Sequence, residues 1–346
     1  MSNNIGYGAV PRGYDRAKAY LFFKGRMDGL FQFKGARHGD DVVRAVLLAS
    51  FNGSYVEGSA ELLDLCGQTV RNHLRYQDPS ELLVANDRAI EEMRSLGALS
   101  GPLTLAIDWH DVMYYGDPRA QGVVGTTPKD GSHHAYRFAT ASVLVDGERL
   151  TLAAVPMLDK RVLGYVAMLL LKVFEMGLRV ELLLLDRGYY SIDLIRWLDS
   201  MRIKYIMQIP KHNRRIGEGE DRTYTTGSPG RGEDEQAAFR LVTMKEKGKL
   251  LIFATNTRIK PERIRALFRR RWGIETSYRM LGRFLARTTS KLYKVRKLYF
   301  YLAIILYNLW VLLNHGRGVR VIADTLKFRI GLPLILSFIP DIEAMT

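Results

Sequence analysis

The sequence predicts a mixed α/β fold: a sheet with flanking helices and a small β insertion, preceded by an all-helical N-terminal unit. Three observations carry this expectation. The apolar period is helical over the first hundred residues, it turns strand-like after Gly101-Pro102, and beyond that break short apolar runs alternate with amphipathic helices. A chain of 346 residues suits two domains at roughly 150 residues each. Residues 1–100 are therefore read as one unit and residues 101–346 as the other.

In the first unit, Asp40 or Asp41 can cap a helix through Val42, Val43, Val46, Leu47 and Phe51, an apolar spacing of three and four. Ser59–Arg75 has the pattern of a helix-turn-helix: Ala60 in the first helix, Leu65-Cys66-Gly67 at the turn, Val70 and Leu74 anchoring the second helix. That spacing leaves Gln68, Thr69, Arg71, Asn72 and Arg75 facing outward, where they can reach base edges and phosphates in a major groove. Asp64 stands where a turn glycine is common, and a plain helical hairpin is the alternative. Pro79–Leu99 follows as a further amphipathic helix, ended by Gly101-Pro102.

In the second unit, LTLAID (103–108) is a short apolar strand that ends in an acid. YRFATASVLV (136–145) and RLTLAAVPM (149–157) flank Asp146-Gly147-Glu148, a strong hairpin signal. A helix over Val162–Gly177, with Gly177 as its stop, leads to VELLLLD (180–186), apolar on both faces as a covered central strand should be. Ser191–Met201 is a helix that Asp193 helps to start, and KYIMQIP (204–210) is another strand. Three strands, then helix, strand, helix, strand is the order of a ribonuclease-H-like layer. Residues 211–237 are polar and glycine-rich and read as a mobile loop. AFRLVTM (238–244) and KLLIFATN (249–256) make a second hairpin, so an insertion spans 211–256. A long helix begins at Pro261 and runs to about Arg283.

Composition narrows the function. Hydrophobic residues make up 47% of the chain and charged residues 25%, the balance of a folded globular protein. Lys and Arg exceed Asp and Glu, 51 to 36, and the net charge of +15 favours nucleic acid or an acidic membrane surface as partner. The single cysteine, Cys66, excludes an intrachain disulfide and a multi-cysteine zinc cage. Residues 1–39 scatter glycines among basic residues without the apolar run of a secretory signal. The apolar run Leu298–Leu313 contains Asn308 and is shorter than the ~20 residues a bilayer needs. It is read as a buried core helix, and the protein is expected in the cytoplasm, on the nucleoid rather than a membrane.

Asp108 and Asp186 each follow an apolar strand, and the carboxyl ends of strands are where an α/β sheet gathers ligands. Two acids on adjacent strands would repel, and a hard divalent cation such as Mg²⁺ or Mn²⁺ removes that repulsion. Glu275 is a third candidate, flanked at helical spacing by Arg271, Trp272, Tyr278 and Arg279. A structural ion pair is its bland alternative. From Arg258 to Lys297 there are fourteen Lys or Arg and two acids. One-signed charge set with aromatics suits phosphates and exposed bases. Asp111 competes with Asp108, although on a strand an odd offset turns it to the other face. His133 and His134 read as a glycine-flanked surface loop touching DNA rather than a zinc site.

These motifs resemble the DDE transposases of prokaryotic insertion sequences, in particular the branch whose third acid lies in a Tyr-x2-Arg-x3-Glu-x6-Lys helix after a β insertion. Here that helix reads Phe268-x2-Arg271-x3-Glu275, with Gly282 at the lysine position and Arg283 beside it. DRGYYS (186–191) and AIDWHDVMYYG (106–116) carry the other two acids. The resemblance covers roughly residues 100–315. It implies catalytic, metal-holding Asp108, Asp186 and Glu275, two Mg²⁺ or Mn²⁺ ions, and double-stranded transposon-end and target DNA as substrate. It also implies a homodimer across paired ends. From the charge pattern itself, Arg187, Arg271, Arg279 and Arg283 are candidates to hold the DNA backbone, with Trp272 and Tyr278 set for exposed bases. A non-catalytic helix-turn-helix regulator and a ribonuclease-H-like repair or resolving nuclease fit the same residues.

Overall fold

The computed structural model describes residues 22–23, 25–27, 30–31, 39–211, 216–226, 236–315, 321–327 and 331, with the side chains of residues 271–278 left aside. The N-terminal unit is helical: α1 (Gly39–Asn52), α2 (Val56–Glu61), α3 (Gly67–Tyr76) and α4 (Pro79–Ser95). α4 is capped by Asp78, whose carboxylate accepts the Ser80 amide at 3.0 Å, and Pro79 occupies the first turn. α4 ends four residues before the expected Leu99, because Gly97 takes a positive φ of 83° and closes the helix.

Beyond Gly101 come β1 (Leu103–Tyr114), β2 (Val124–Lys129), β3 (Ser132–Val145), β4 (Glu148–Met157), α5 (Val162–Glu175), β5 (Val180–Leu185), α6 (Ile192–Ser200), β6 (Tyr205–Gln208), β7 (Asp221–Thr225), β8 (Ala238–Glu246), β9 (Lys249–Thr255), α7 (Pro261–Gly282) and α8 (Tyr293–Asn314). Among the described residues the nine strands form one sheet, in the order β2-β3-β1-β5-β6-β9-β8-β7, with β4 also paired to β3. At its centre β1, β5 and β6 run parallel, and β3 is antiparallel to β1. The path β4-β3-β1-β5-β6 is the ribonuclease-H-like arrangement expected.

Several segments differ from expectation. β1 is twelve residues long and does not stop at Asp108, because antiparallel pairing with β3 carries it on to Tyr114. His133 and His134 lie in β3, not in a loop. The cause is Asp130-Gly131, with φ of 50° and 82°, which joins β2 to β3 by the same turn chemistry that Asp146-Gly147 uses between β3 and β4. The polar stretch 211–237, read as a loop, contains β7, which pairs with β8. The inserted hairpin β8–β9 joins the main sheet, because β9 pairs antiparallel with β6.

The sheet's two faces are filled differently. Ala106 of β1 and Leu182 and Leu184 of β5 meet Ile264, Leu267 and Phe268 of α7, with Phe253 stacked edge-on to Phe268 at 4.8 Å. Leu183 and Leu185 turn the other way, into the larger core that includes Leu194 and Leu198 of α6. That core is continuous from Phe23 and Met27 through α1–α4 into the sheet and α8. α8 is long and apolar enough to cross a membrane, yet 89% of its most apolar window is buried inside the fold. Asn308, midway along it, is fully buried and satisfied: it donates to Asn86 Oδ1 (2.6 Å) and the Thr151 carbonyl (2.8 Å), and accepts the Thr151 amide (3.0 Å).

Candidate active site

Strand register brings two of the three predicted acids together. β1 and β5 pair in parallel from Thr104 opposite Leu182 to Ile107 opposite Leu185. Asp108 is the next residue of β1 and Asp186 the first residue past β5. Both stand one step beyond the last pair of two strands that, like any neighbours in a sheet, run about 4.8 Å apart. Alternation puts both on the face that Ala106 and Leu184 present to α7. Asp108 is therefore at the end of the parallel pair, though not of its own strand. Both side chains are half-buried. Asp108 Oδ1 accepts the Trp109 amide at 2.8 Å, and Asp186 precedes the single 3-10 turn Arg187–Tyr189.

Asp111, the competing acid, is engaged elsewhere. Arg137, directly opposite it in register, donates Nε and Nη2 to its two oxygens, each at 2.7 Å, and Thr126 adds a short hydrogen bond. Its oxygens are committed, on the face opposite Asp108.

The back of the acid pair is braced by Trp109. Its ring lies 5.0 Å from that of Tyr189 and carries the Arg137 guanidinium at 4.9 Å. A Cβ at Gly188 would fall 1.8 Å from Trp109 Cη2. Glycine is required there by space rather than by backbone angle, and no sequence signal beyond the Asp-x-Gly pattern announces it. On the acid side, Arg149 is 3% exposed and reaches the Ala106 carbonyl at 3.5 Å. It is a buried cation beside the strand of Asp108 that the sequence reading did not single out. His110 stacks on Phe300 of α8 at 5.8 Å, and burial pushes its imidazole down to about 4, so it is neutral near pH 7.

α7 carries the third predicted acid. β9 ends beside the start of β6, so α7 begins at the amino-end edge of the parallel strands. It touches β8, β5 and β4 in crossing the sheet. The side chains of Arg271, Trp272, Glu275 and Tyr278 lie outside the described residues. Among the described residues no group of three His, Cys, Asp or Glu side chains is placed to hold a metal. Arg279 and Arg187 are exposed; Arg283, expected to contact DNA, pairs with Asp324 at 2.5 Å.

The helix-turn-helix candidate has the expected anchors: Ala60, Val70 and Leu74 are buried and Gln68, Thr69, Asn72 and Arg75 exposed. Asp64 adopts φ of 54°, the left-handed conformation that a turn glycine would supply. Arg71 departs from expectation. It is half-buried, held by Glu57 (3.0 Å) and Gln68 (2.6 Å).

Residues 100–309 match the transposase DDE domain family, more than half of the chain. The chain belongs to that family. It is thus a DNA transposase, a DNA-cleaving enzyme of a kind that generally uses divalent metal ions. No curated protein matches the transposase in sequence. Its fold is similar to that of a piggyBac transposase solved by cryo-EM as a synaptic complex with hairpin DNA. The TM-score is 0.52 over 98% of this chain and 75% of that one, at 14% identity.

Proposed function

We propose that Asp108, Asp186 and Glu275 are the metal-holding catalytic set with which this transposase cleaves phosphodiester bonds at transposon ends and joins the 3′-OH ends to target DNA. The observation that carries the reading is the register of β1 and β5, which sets Asp108 and Asp186 one step beyond the last pair of these neighbouring strands, on the face that α7 crosses. Two half-buried carboxylates so placed fit a hard divalent cation and fit little else without one. Glu275 belongs to the same helix, α7, seven residues beyond Phe268 in the chain.

The donor set suits Mg²⁺ or Mn²⁺, with two ions the number the family resemblance implies. Bound there, they would supply Lewis-acid polarisation of the scissile phosphate and of the attacking oxygen. The chain itself supplies position and charge. Asp108 and Asp186 fix one edge of the site on rigid strands. Arg187, Arg271, Arg279 and Arg283, with Trp272 and Tyr278, stand in the segments that would hold the DNA strand. Gln68, Thr69, Asn72 and Arg75 on α3 are offered to the duplex, double-stranded end and target DNA being the partners. The assembly we propose is a homodimer across paired ends, acting in the cytoplasm.

The test is Asp108→Asn and Glu275→Gln, each assayed for duplex binding and for Mg²⁺-dependent nicking. Binding within about twofold of the unaltered protein with nicking lost supports the assignment. Nicking retained by either variant removes that acid from the set. A regulator without catalysis would show no nicking in the unaltered protein, and a resolving nuclease would nick but never join ends.

A further inference from the structure

Opposite α3 runs the segment Thr288–Leu292, which links the end of α7 to α8. It is tied to the helical unit where the Arg287 amide donates to the Ser54 carbonyl at 2.9 Å and Arg287 bridges to Tyr55. Between this segment and α3 lies an open groove of about 310 Å³. We propose that this groove binds the sugar–phosphate backbone of the DNA duplex, a site that rests on the transposase reading and specifies where one strand is held between the helical unit and the catalytic sheet.

Four observations point to a polyanion. Among the described residues, no Asp or Glu lines the groove. Arg75, on one wall, is exposed and makes no hydrogen bond or ion pair with any described residue, so its full charge is available. On the other wall, Thr288 Oγ1 accepts the Ser290 amide (3.0 Å) and Ser290 Oγ accepts the Leu292 amide (3.2 Å). A hydroxyl that accepts from the backbone keeps its single proton to donate, so both need acceptors. The backbone carbonyls of Thr288 and Ser290, which would repel phosphate, are instead taken by Arg296 at 3.3 and 2.9 Å. Arg296 is itself set over the rings of Tyr114 (4.8 Å) and Tyr136 (5.2 Å). The groove is thereby donor-lined and held in shape from behind. Its floor is apolar, with Val295 and Tyr299 buried, which suits a deoxyribose edge.

Phosphate contacts position a protein on DNA without reading sequence, whereas base contacts read it. The experiment is duplex binding as a function of salt for Arg75→Ala and Thr289→Asp, two exposed positions, with a transposon-end duplex and a scrambled duplex as probes. Far-ultraviolet circular dichroism melts check that both variants fold. Each variant should weaken binding several-fold and by the same factor on both duplexes, and Arg75→Ala should flatten the log–log salt slope by about one. An unchanged slope, or a loss confined to the transposon-end duplex, overturns the proposal and returns Arg75 to base reading by α3. Absence of any duplex binding by the unaltered protein sinks the transposase reading and the groove together. Nicking by the unaltered protein with both variants binding normally sinks the groove alone.

Discussion

Adding one methyl group at Gly188 should disable the active site without touching a carboxylate. The new Cβ would lie 1.8 Å from Trp109 Cη2 and 2.6 and 2.7 Å from Cζ3 and Cζ2. Ordinary carbon contacts are about 3.5 Å, so something must move by roughly 1.7 Å. The indole has little freedom, in contact with the Tyr189 ring and with an Arg137 that is itself clasped by Asp111. The Arg187–Tyr189 turn must therefore give, and Asp186 opens that turn. Overpacking of this kind costs about 1–3 kcal/mol. A displacement of about 1 Å at a catalytic group costs on the order of a hundredfold in rate. In Gly188→Ala we expect Mg²⁺-dependent nicking to fall on the order of a hundredfold, while duplex binding is unchanged and the urea midpoint drops modestly. Adding Trp109→Phe, which removes the distal ring atoms, should restore most of the nicking. Nicking by Gly188→Ala within about twofold of the unaltered protein would refute the brace, as would a double variant that regains stability but not activity.

Two further outcomes follow from buried polar groups. Asn308→Leu removes the partner of the Thr151 amide and of Asn86 Oδ1 inside the core, and should cost about 2 kcal/mol in urea unfolding; a variant as stable as the parent would show that the network is dispensable. His110, held down to about 4 by burial, takes a proton in the unfolded chain at pH values where the folded one refuses it. The contribution of His110 to the stability of the metal-free protein is therefore complete above about pH 6.5 and is lost on acidification toward pH 4, roughly 3 kcal/mol in all. His110→Phe should remove that part of the slope, and an unaltered pH profile would count against it.

Local chemistry was legible wherever it was local. Gly177 at the end of α5, Pro261 at the start of α7 and Asp146-Gly147 between β3 and β4 each dictate a backbone conformation from one or two residues. The alternation of Leu182–Leu185 between two apolar faces likewise needs only the period of a strand. The motif around Asp186 pointed to the acid, and Asp108 was found through the apolar run before it. Where strand ends depend on a distant partner, the reading slipped: β1 runs past Asp108 because β3 is there to pair with it, and β7 exists because β8 covers its edge.

The sequence by itself determined the composition of the site: which acids follow which apolar strands, and where the positive charge gathers. Only the tertiary structure decided that Asp108 and Asp186 follow the same strand pair, that Asp111 is spent on Arg137, and that Trp109 rests on Gly188. The same holds for the groove between α3 and Thr288–Leu292, whose two walls lie more than two hundred residues apart. The reason is physical. Propensity and capping act over a few residues, whereas the register between strands and the space left beside a side chain are settled by packing of the whole chain at once.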